Sequence, residues 1–259
     1  MELTNRVAVI TGGGGGIGAA MARAFKAAGA THVAIADLDG AAADEIAAEV
    51  GGSSWALDAA DAVAVAAMVA SVENEHGPID VFCANAGIAV AADVDSDLEV
   101  WQRTWDVNVM SQVHAAHAVL PGMLARGEGY LVLTASAAGL TTSFGAAPDA
   151  VTKHASVALA EWLAITYGDR GIRVSCLAPQ FVDTPMGRSA MTTPAEKAWV
   201  EQMMIDPDQV AAAVLEGIGS ERFLILPHPE VADYFRNKAA DYDHWLAGMR
   251  KLRAGLAPH

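Results

Sequence analysis

Five consecutive glycines, Gly12 to Gly16, stand between the apolar run Val7 to Ile10 and a helical pattern that starts at Ile17. Strand, tight turn and helix in that order bring bare backbone N–H groups and the positive end of a helix dipole to one point, which suits a pyrophosphate. Side chains would hold the phosphates off, and glycine has none. Gly12, Gly14, Gly15, Gly16 and Ile17 are therefore the expected phosphate-holding positions. A flexible linker is the other use of such a run, but the flanking strand and helix argue for the turn. About twenty residues on, Asp37 closes the next apolar strand, where a carboxylate accepts hydrogen bonds from ribose hydroxyls and repels a 2′-phosphate. Asp at a strand end is also a common turn former. Asp37, with Leu38 beside it, points to NAD(H) in preference to NADP(H). Asp58 and Ala59 follow a third strand, placed to meet the adenine edge or to start a turn. Asn85, Ala86 and Gly87 close a fourth, small residues that let backbone pass close to a ligand.

The elements that position these residues alternate along the chain. Strand patterns at Val7–Ile10, His32–Ala36, Ser53–Leu57, Ile79–Ala84, Tyr130–Ala135, Arg173–Leu177 and Phe223–Leu226 are separated by helical patterns. Helices are expected near Ile17–Ala28, Ala41–Val50, Asp61–His76, Asp97–Asp106, Val107–Ala125, Ala150–Gly168 and Pro207–Gly217. Such alternation predicts an α/β fold: a Rossmann-type doubly wound parallel sheet of about seven strands, with helices on both faces and ligands at the carboxyl ends of the strands. A single domain over residues 1–259 accommodates it. The formal charge of −15 repels nucleic acid and anionic membrane surfaces, so neither is an expected partner. Cys83 and Cys176 lie in apolar strand-like runs and read as buried small hydrophobes in a reducing compartment. No basic region followed by an apolar run opens the sequence, and a cytoplasmic location is expected. The uncharged stretch Gly129–Pro148 reads as strand and loop because of its Gly, Ser, Thr and Pro content.

Further motifs fall in a fixed order. Thr11, Gly12, Gly16, Ile17 and Gly18 form TGxxxGIG; residues 84–87 read ANAG; Asn108 lies in DVNV; Ser136 lies in TASAAG; Pro179 to Thr184 read PQFVDT. Together they resemble the short-chain dehydrogenase/reductase family, classical type, over nearly the whole chain. The resemblance implies an oxidoreductase that moves hydride between a nicotinamide and a ketone or secondary alcohol. It implies that Asn108 keeps a backbone kink and a water for proton relay, that Ser136 hydrogen-bonds the reacting heteroatom, and that Lys153 holds the nicotinamide ribose. Pro179, Val182 and Thr184 would hold the nicotinamide carboxamide, with Gln180 where the family has Gly. It also implies a homodimer or homotetramer built on the helices after Asn108 and around Lys153.

The family's catalytic Tyr, four residues before the Lys, is replaced here by Asp149. A phenol there gives its proton to the carbonyl oxygen as hydride arrives. A free carboxyl has a pKa of about 3.9, a neighbouring ammonium lowers it, and the side chain is roughly 4 Å shorter. Three readings follow. Asp149 caps the next helix and pairs with Lys153 one turn on; or it serves C=N substrates, whose iminium brings its own proton and charge; or the protein binds NAD(H) with impaired or absent chemistry. The oxidoreductase reading ranks first because Asn108, Ser136, Lys153 and the cofactor motifs are all present.

His114, His117 and His154 read as packing or interface residues; His154 points about 100° away from Lys153 on a helix. No His, Cys and carboxylate spacing suggests a metal site. Residues 185–205, with Met186, Met191, Trp199, Met203 and Met204, match the family's substrate lid, and those side chains suit a bulky apolar small-molecule substrate or ordinary core filling. Residues 229–253 read as one C-terminal amphipathic helix that closes over a pocket or a neighbouring subunit. The helices Val107–Leu124 and Ala150–Ala164 are apolar on more than one face, as a covered sheet on one side and a second subunit on the other require.

Overall fold

Strict alternation sends Val7 and Val9 of β1 (Val7–Thr11) to one face of a sheet and Ala8 and Ile10 to the other, and all are buried. The computed structural model describes residues 1–189 and 194–256. After β1 come α1 (Gly16–Ala27), β2 (His32–Asp37), α2 (Gly40–Val50), β3 (Ser53–Ala56), α3 (Ala62–His76) and β4 (Val81–Ala84). Then follow α4 (Leu98–Trp105), a wide π turn at Asp106–Met110, α5 (Ser111–Arg126), β5 (Gly129–Thr134), α6 (Ala138–Thr141), α7 (Ala147–Tyr167) and β6 (Ile172–Leu177). The rest is α8 (Pro185–Ser189), α9 (Pro194–Glu201), α10 (Pro207–Gly219), β7 (Leu224–Ile225), α11 (Val231–Ala240) and α12 (Tyr242–Leu256). The expected single-domain Rossmann architecture is what the chain adopts.

The seven strands are parallel in the order β3-β2-β1-β4-β5-β6-β7, so the winding reverses between β1 and β4, with Val9 opposite Phe82 in register. Ligand crevices of such sheets open at this reversal. Two cores flank the sheet. One gathers Val9, Met68, Phe82, Met123, Leu131 and Leu163 under α3, α5 and α7; the other gathers Ile10, Met21, Phe25, Ile35, Val132 and Ile218 under α1, α2 and α10. Each large side chain so buried contributes about 1.5–3 kcal/mol relative to exposure. Cys83 and Cys176 are buried and free, as expected, and burial pushes both thiols up, Cys176 to about 12.

Helix starts are set by local chemistry. The carboxylates of Asp39, Asp61 and Asp206 accept hydrogen bonds from the first amides of α2, α3 and α10. Two expectations need correction. The tail is two helices, not one over 229–253: Asp241 is extended, with φ −153° and ψ 95°, and its carboxylate accepts from the His244 amide at 2.9 Å to open α12. The boundary expected between Asp106 and Val107 is instead the π turn joining α4 to α5. Within residues 185–205, the segment expected as the lid, α8 and α9 are formed, and Met191 lies outside the described residues. No helix among the described residues is long and apolar enough to cross a membrane.

Candidate functional site

The N-terminus of α1 differs from those of α2, α3 and α10 because its cap is Gly15, which has no side chain to satisfy the first amides. Gly15, Gly16 and Ile17 line a cavity of about 1420 Å³ at the carboxyl end of the sheet. Glycine is required where the turn packs: a Cβ on Gly18 would stand 2.0 Å from the Gly12 carbonyl oxygen, and one on Gly13 2.8 Å from Ile35. Gly12 and Gly16 also have positive φ, at 62° and 51°. Above Gly15 a Cβ would meet nothing within 4 Å, so the turn has an open, amide-lined mouth. Those groups fit an anion such as a pyrophosphate.

Thr11 ties this turn to the end of β4. Its hydroxyl accepts from the amides of Asn85 (3.1 Å) and Ala86 (3.2 Å), while Asn85 Nδ2 donates to the carbonyls of Thr11 and Gly12, both at 3.2 Å. Thr134 in turn donates to Asn85 Oδ1 at 3.1 Å. Asp37 lines the same cavity and accepts from the Gly14 amide at 2.9 Å and from Asp39 at 3.0 Å. The Gly14 amide is thereby committed to Asp37, and Gly14 is absent from the cavity wall, a correction to its expected contact with phosphate. Leu38, Asp58, Ala59, Ala86 and Gly87 do line it. Asp58 faces Arg103 of α4, whose Nη1 donates to Oδ2 at 2.7 Å, and accepts from the Ala60 amide at 2.9 Å. Burial pushes the Asp58 carboxyl up, yet the guanidinium and the amide outweigh it and hold the group below its ordinary value.

Further along the wall stand Ser136, Asp149, Lys153, Pro179, Val182 and Thr184. Ser136 Oγ accepts from the Ala138 amide at 3.1 Å and donates only a long bond, 3.3 Å, to the Pro179 carbonyl. That hydroxyl is easily redirected. Lys153 projects from α7, is 9 % exposed, and has no hydrogen bond or ion pair among the described residues. A Cβ on Gly87 would lie 3.3 Å from both Lys153 Nζ and Asn108 Oδ1, so this glycine keeps the two side chains close across the end of β4.

Asn108 is fully buried in the π turn and off the cavity wall. Its Oδ1 accepts from the Ile88 amide at 2.8 Å; its Nδ2 donates to the Ile88 carbonyl at 2.9 Å and to Thr152 at 3.0 Å. It is a positioning residue that pins the segment after Gly87 to α7. The kink expected at Asn108 is present, and its carbonyl accepts from Ser156 at 3.1 Å.

Asp149 is the third residue of α7, whose cap is Ala146, so it is no helix cap. It forms no ion pair with Lys153 within 4.0 Å and no side-chain hydrogen bond among the described residues. Burial raises its pKa and the Lys153 charge only partly offsets this, while burial lowers that of Lys153. This reverses the direction expected from the neighbouring ammonium alone: desolvation wins over the charge pair. His154 turns away, with Nδ1 on the Ala150 carbonyl at 2.8 Å.

Past Asp149 the cavity becomes apolar, lined by Phe144, Phe181, Trp199, Met203, Trp245 and Met249. Phe181 and Trp199 meet edge to face at 5.5 Å. Gln180 and Ser143 stand on this wall, and Gln180 Oε1 and Ser143 Oγ are buried without a partner among the described residues. His228, missed in the sequence, fixes this wall: Nδ1 accepts from the Gln180 amide at 3.1 Å, so Nε2 carries the hydrogen directed at the carbonyls of Phe181 (3.1 Å) and Met203 (3.0 Å). Among the described residues no group of three or more His, Cys, Asp or Glu gathers to hold a metal.

The volume exceeds that of an ordinary drug-sized pocket, about 300–1,000 Å³, and has two ends of different chemistry. The family model described as short chain dehydrogenase matches residues 6–195. The 1-deoxy-11-beta-hydroxypentalenate dehydrogenase of Streptomyces exfoliatus is 34% identical over 250 residues, covering 93% of this chain and 90% of its own. A Xanthobacter autotrophicus protein named inactive 2-(S)-hydroxypropyl-CoM dehydrogenase 2 is 39% identical over 180 residues, covering 68% of this chain and 78% of its own. The crystal structure of a short chain dehydrogenase/reductase from Burkholderia phymatum in complex with NAD is similar with a TM-score of 0.83 at 27% identity, covering 94% of this chain and 96% of that one.

Proposed function

The chain belongs to the short-chain dehydrogenase family, and from that premise we propose that it is an NAD(H)-dependent oxidoreductase of a bulky apolar ketone and its secondary alcohol, with Asp149 as the acid and base. The observation that carries this reading is the shared cavity: the uncapped start of α1 opens into the same space as Ser136, Asp149 and Lys153. Gly12, Gly15, Gly16 and Ile17 hold the pyrophosphate, Asp37 the adenosine ribose, Asp58 and Ala59 the adenine edge, Lys153 the nicotinamide ribose, and Pro179, Val182 and Thr184 the carboxamide. Asn85, Ala86 and Gly87 give the dinucleotide close access to backbone. Bound nicotinamide supplies hydride chemistry. In reduction Asp149 carries a proton to the substrate oxygen that Ser136 orients; in oxidation its carboxylate takes the proton from the hydroxyl. The upward shift of the Asp149 pKa by burial supports that role, because it holds the proton to higher pH than a free carboxyl does. The apolar end past Phe144 and Trp199 supports the substrate class, and the sheet's reversal point supports the cofactor site.

Two other readings rest on specific observations. The unpaired Asp149 carboxylate in a mostly apolar cavity suits a cyclic iminium, which C=N reduction would use. A relative named inactive favours a cofactor binder without chemistry. Titration with NADH and NADPH, followed by NADH oxidation with bicyclic ketones and cyclic imines, separates them. Tighter NADH binding and ketone turnover support the proposal. Imine turnover alone favours the iminium reading, and binding without any turnover the inactive one. Absence of NADH affinity overturns all three.

We place a second copy of the chain against the expected helices α5 and α7; Trp162 and Ile165 of α7 are exposed in the single chain, and Leu98 of α4, which packs beside α7, extends their apolar face.

A further inference from the structure

We propose that Lys238 is a positioning residue that fastens the C-terminal helices over the substrate end of the cavity and, through the same contacts, sets the loop and helix that carry Asp149. The inference rests on the assignment of that end of the cavity made above. Both α11 and α12 contribute to the wall there, through Tyr234, Trp245, Met249, Leu252 and Leu256. They follow the last strand and pair with none, so side-chain contacts must hold them.

Lys238 lies on the inner side of α11 and is only 6 % exposed. Its ammonium donates to the Leu140 carbonyl at 2.8 Å and to His154 Nε2 at 3.4 Å, and it stands 5.5 Å from the centre of the Tyr242 ring. His154 Nδ1 must donate to the Ala150 carbonyl, so Nε2 is the bare nitrogen and accepts from the ammonium. No carboxylate lies within 4.0 Å of this cation among the described residues. Burying a cation without a counter-charge is unfavourable for stability, so the residue is better accounted for by what it joins.

What it joins is specific. Leu140 and Thr141 end the short helix α6, where carbonyls lack intrahelical partners and need a donor from elsewhere. Lys238 takes the Leu140 carbonyl, and the Trp245 indole N–H takes that of Thr141 at 3.3 Å. One element from each C-terminal helix therefore caps α6. The next residue, Thr142, turns with φ at 71°, and the chain runs through Ser143, Phe144 and Gly145 on the cavity wall to α7 and Asp149. The second contact, on His154, falls one residue past Lys153. A single ammonium thus joins cover, loop and helix.

The test is hydrogen–deuterium exchange of the full chain with NADH bound, comparing Lys238→Met and Lys238→Arg with the parent. Lys238→Met keeps the length and removes the charged donor; the expected result is exchange at least tenfold faster in 231–256 and 141–146, with α1 and α10 unchanged and NADH affinity within twofold. Lys238→Arg, which keeps a cationic donor, should restore most of the protection. Unchanged exchange in Lys238→Met overturns the proposal, as does acceleration spread equally over α1 and α10, which would mark a residue needed for the whole fold. Failure of arginine to restore protection overturns the role of the charged donor. Loss of the cofactor reading has its own signature, absent NADH binding by the parent chain, and leaves the exchange pattern interpretable on its own.

Discussion

The Gly14 amide donates to Asp37 Oδ2 at 2.9 Å across 23 residues of sequence, so the carboxylate proposed to take the adenosine ribose also braces the glycine turn. Asp37→Ala should weaken NADH binding about tenfold, the equivalent of one charge-assisted hydrogen bond at about 1.4 kcal/mol. It should at the same time bring NADPH affinity to within about threefold of NADH, because the like charge facing a 2′-phosphate is gone. Parallel fluorescence titrations of both coenzymes decide this; unchanged preference would remove Asp37 from the ribose site.

The state of Asp149 sets a direction for pH. Its pKa is raised by burial, so the fold favours the protonated form; that contribution to stability is full below the unfolded value of 3.8 and is lost as pH rises through the folded value. Asp149→Asn should therefore raise Tm at pH 8 and leave it near the parent's at pH 3. In the same variant ketone reduction should fall about 100-fold, the ordinary worth of a placed acid. Asp149→Tyr should raise ketone reduction. If it instead leaves ketones untouched and abolishes imine turnover, the carboxylate serves C=N chemistry.

Gly87 offers a steric test. An added Cβ would press on Asn108 Oδ1 and Lys153 Nζ at 3.3 Å, closer than ordinary contact. Gly87→Ala should cost at least tenfold in kcat, because the groups that must give way are the ones that fix the site. Equal turnover by both forms would show that the spacing of Asn108 and Lys153 is unimportant.

Far from the cavity, His32 and His76 stack at 3.5 Å between ring centres, and His32 shares a 2.6 Å hydrogen bond with Ser53. Burial, then the neighbouring His76 and Lys26, push His32 down to about 4, against a weak opposing pull from Glu75. A depressed pKa stabilises the fold above the unfolded value of about 6.5, and that stability is lost as pH falls toward 4. Thermal melts should show Tm declining over this window, and His32→Phe should flatten the decline. A slope unaffected by that substitution would exclude the stack as its source.

For the subunit contact, Ile165→Glu should convert an oligomer to a monomer in sedimentation velocity, since Ile165 is 83% exposed in the single chain.

What could be read without coordinates was what is local. Strand alternation around Val7 to Ile10, the glycine turn and the Asp37 interval all express short-range geometry, and the sheet followed from them. The partners of Arg103, His228 and Lys238 were invisible, because they lie 45, 48 and 98 residues away in sequence and carry no periodic signal. Asp149 was misjudged for a related reason: the nearby Lys153 is written in the chain, whereas the burial that outweighs its charge is a property of the assembled cavity. The break at Asp241 was hidden by an amphipathic pattern that continues through both tail helices.

The wide turn at Asp106–Met110 carries a cost that an uninterrupted α-helix from Leu98 to Arg126 would avoid. A π turn holds one residue more than an α turn, so removing Val109 would let the stretch close into one regular rod with its two halves kept in nearly the same phase. The rod would lose the widened geometry that aims Asn108 at Ile88 and Thr152, leaving buried polar groups unpaired, so the shortened protein would melt earlier as well as work worse. One surplus residue in the backbone thus serves as the joint on which both the packing of the segment after Gly87 and the placing of the site depend.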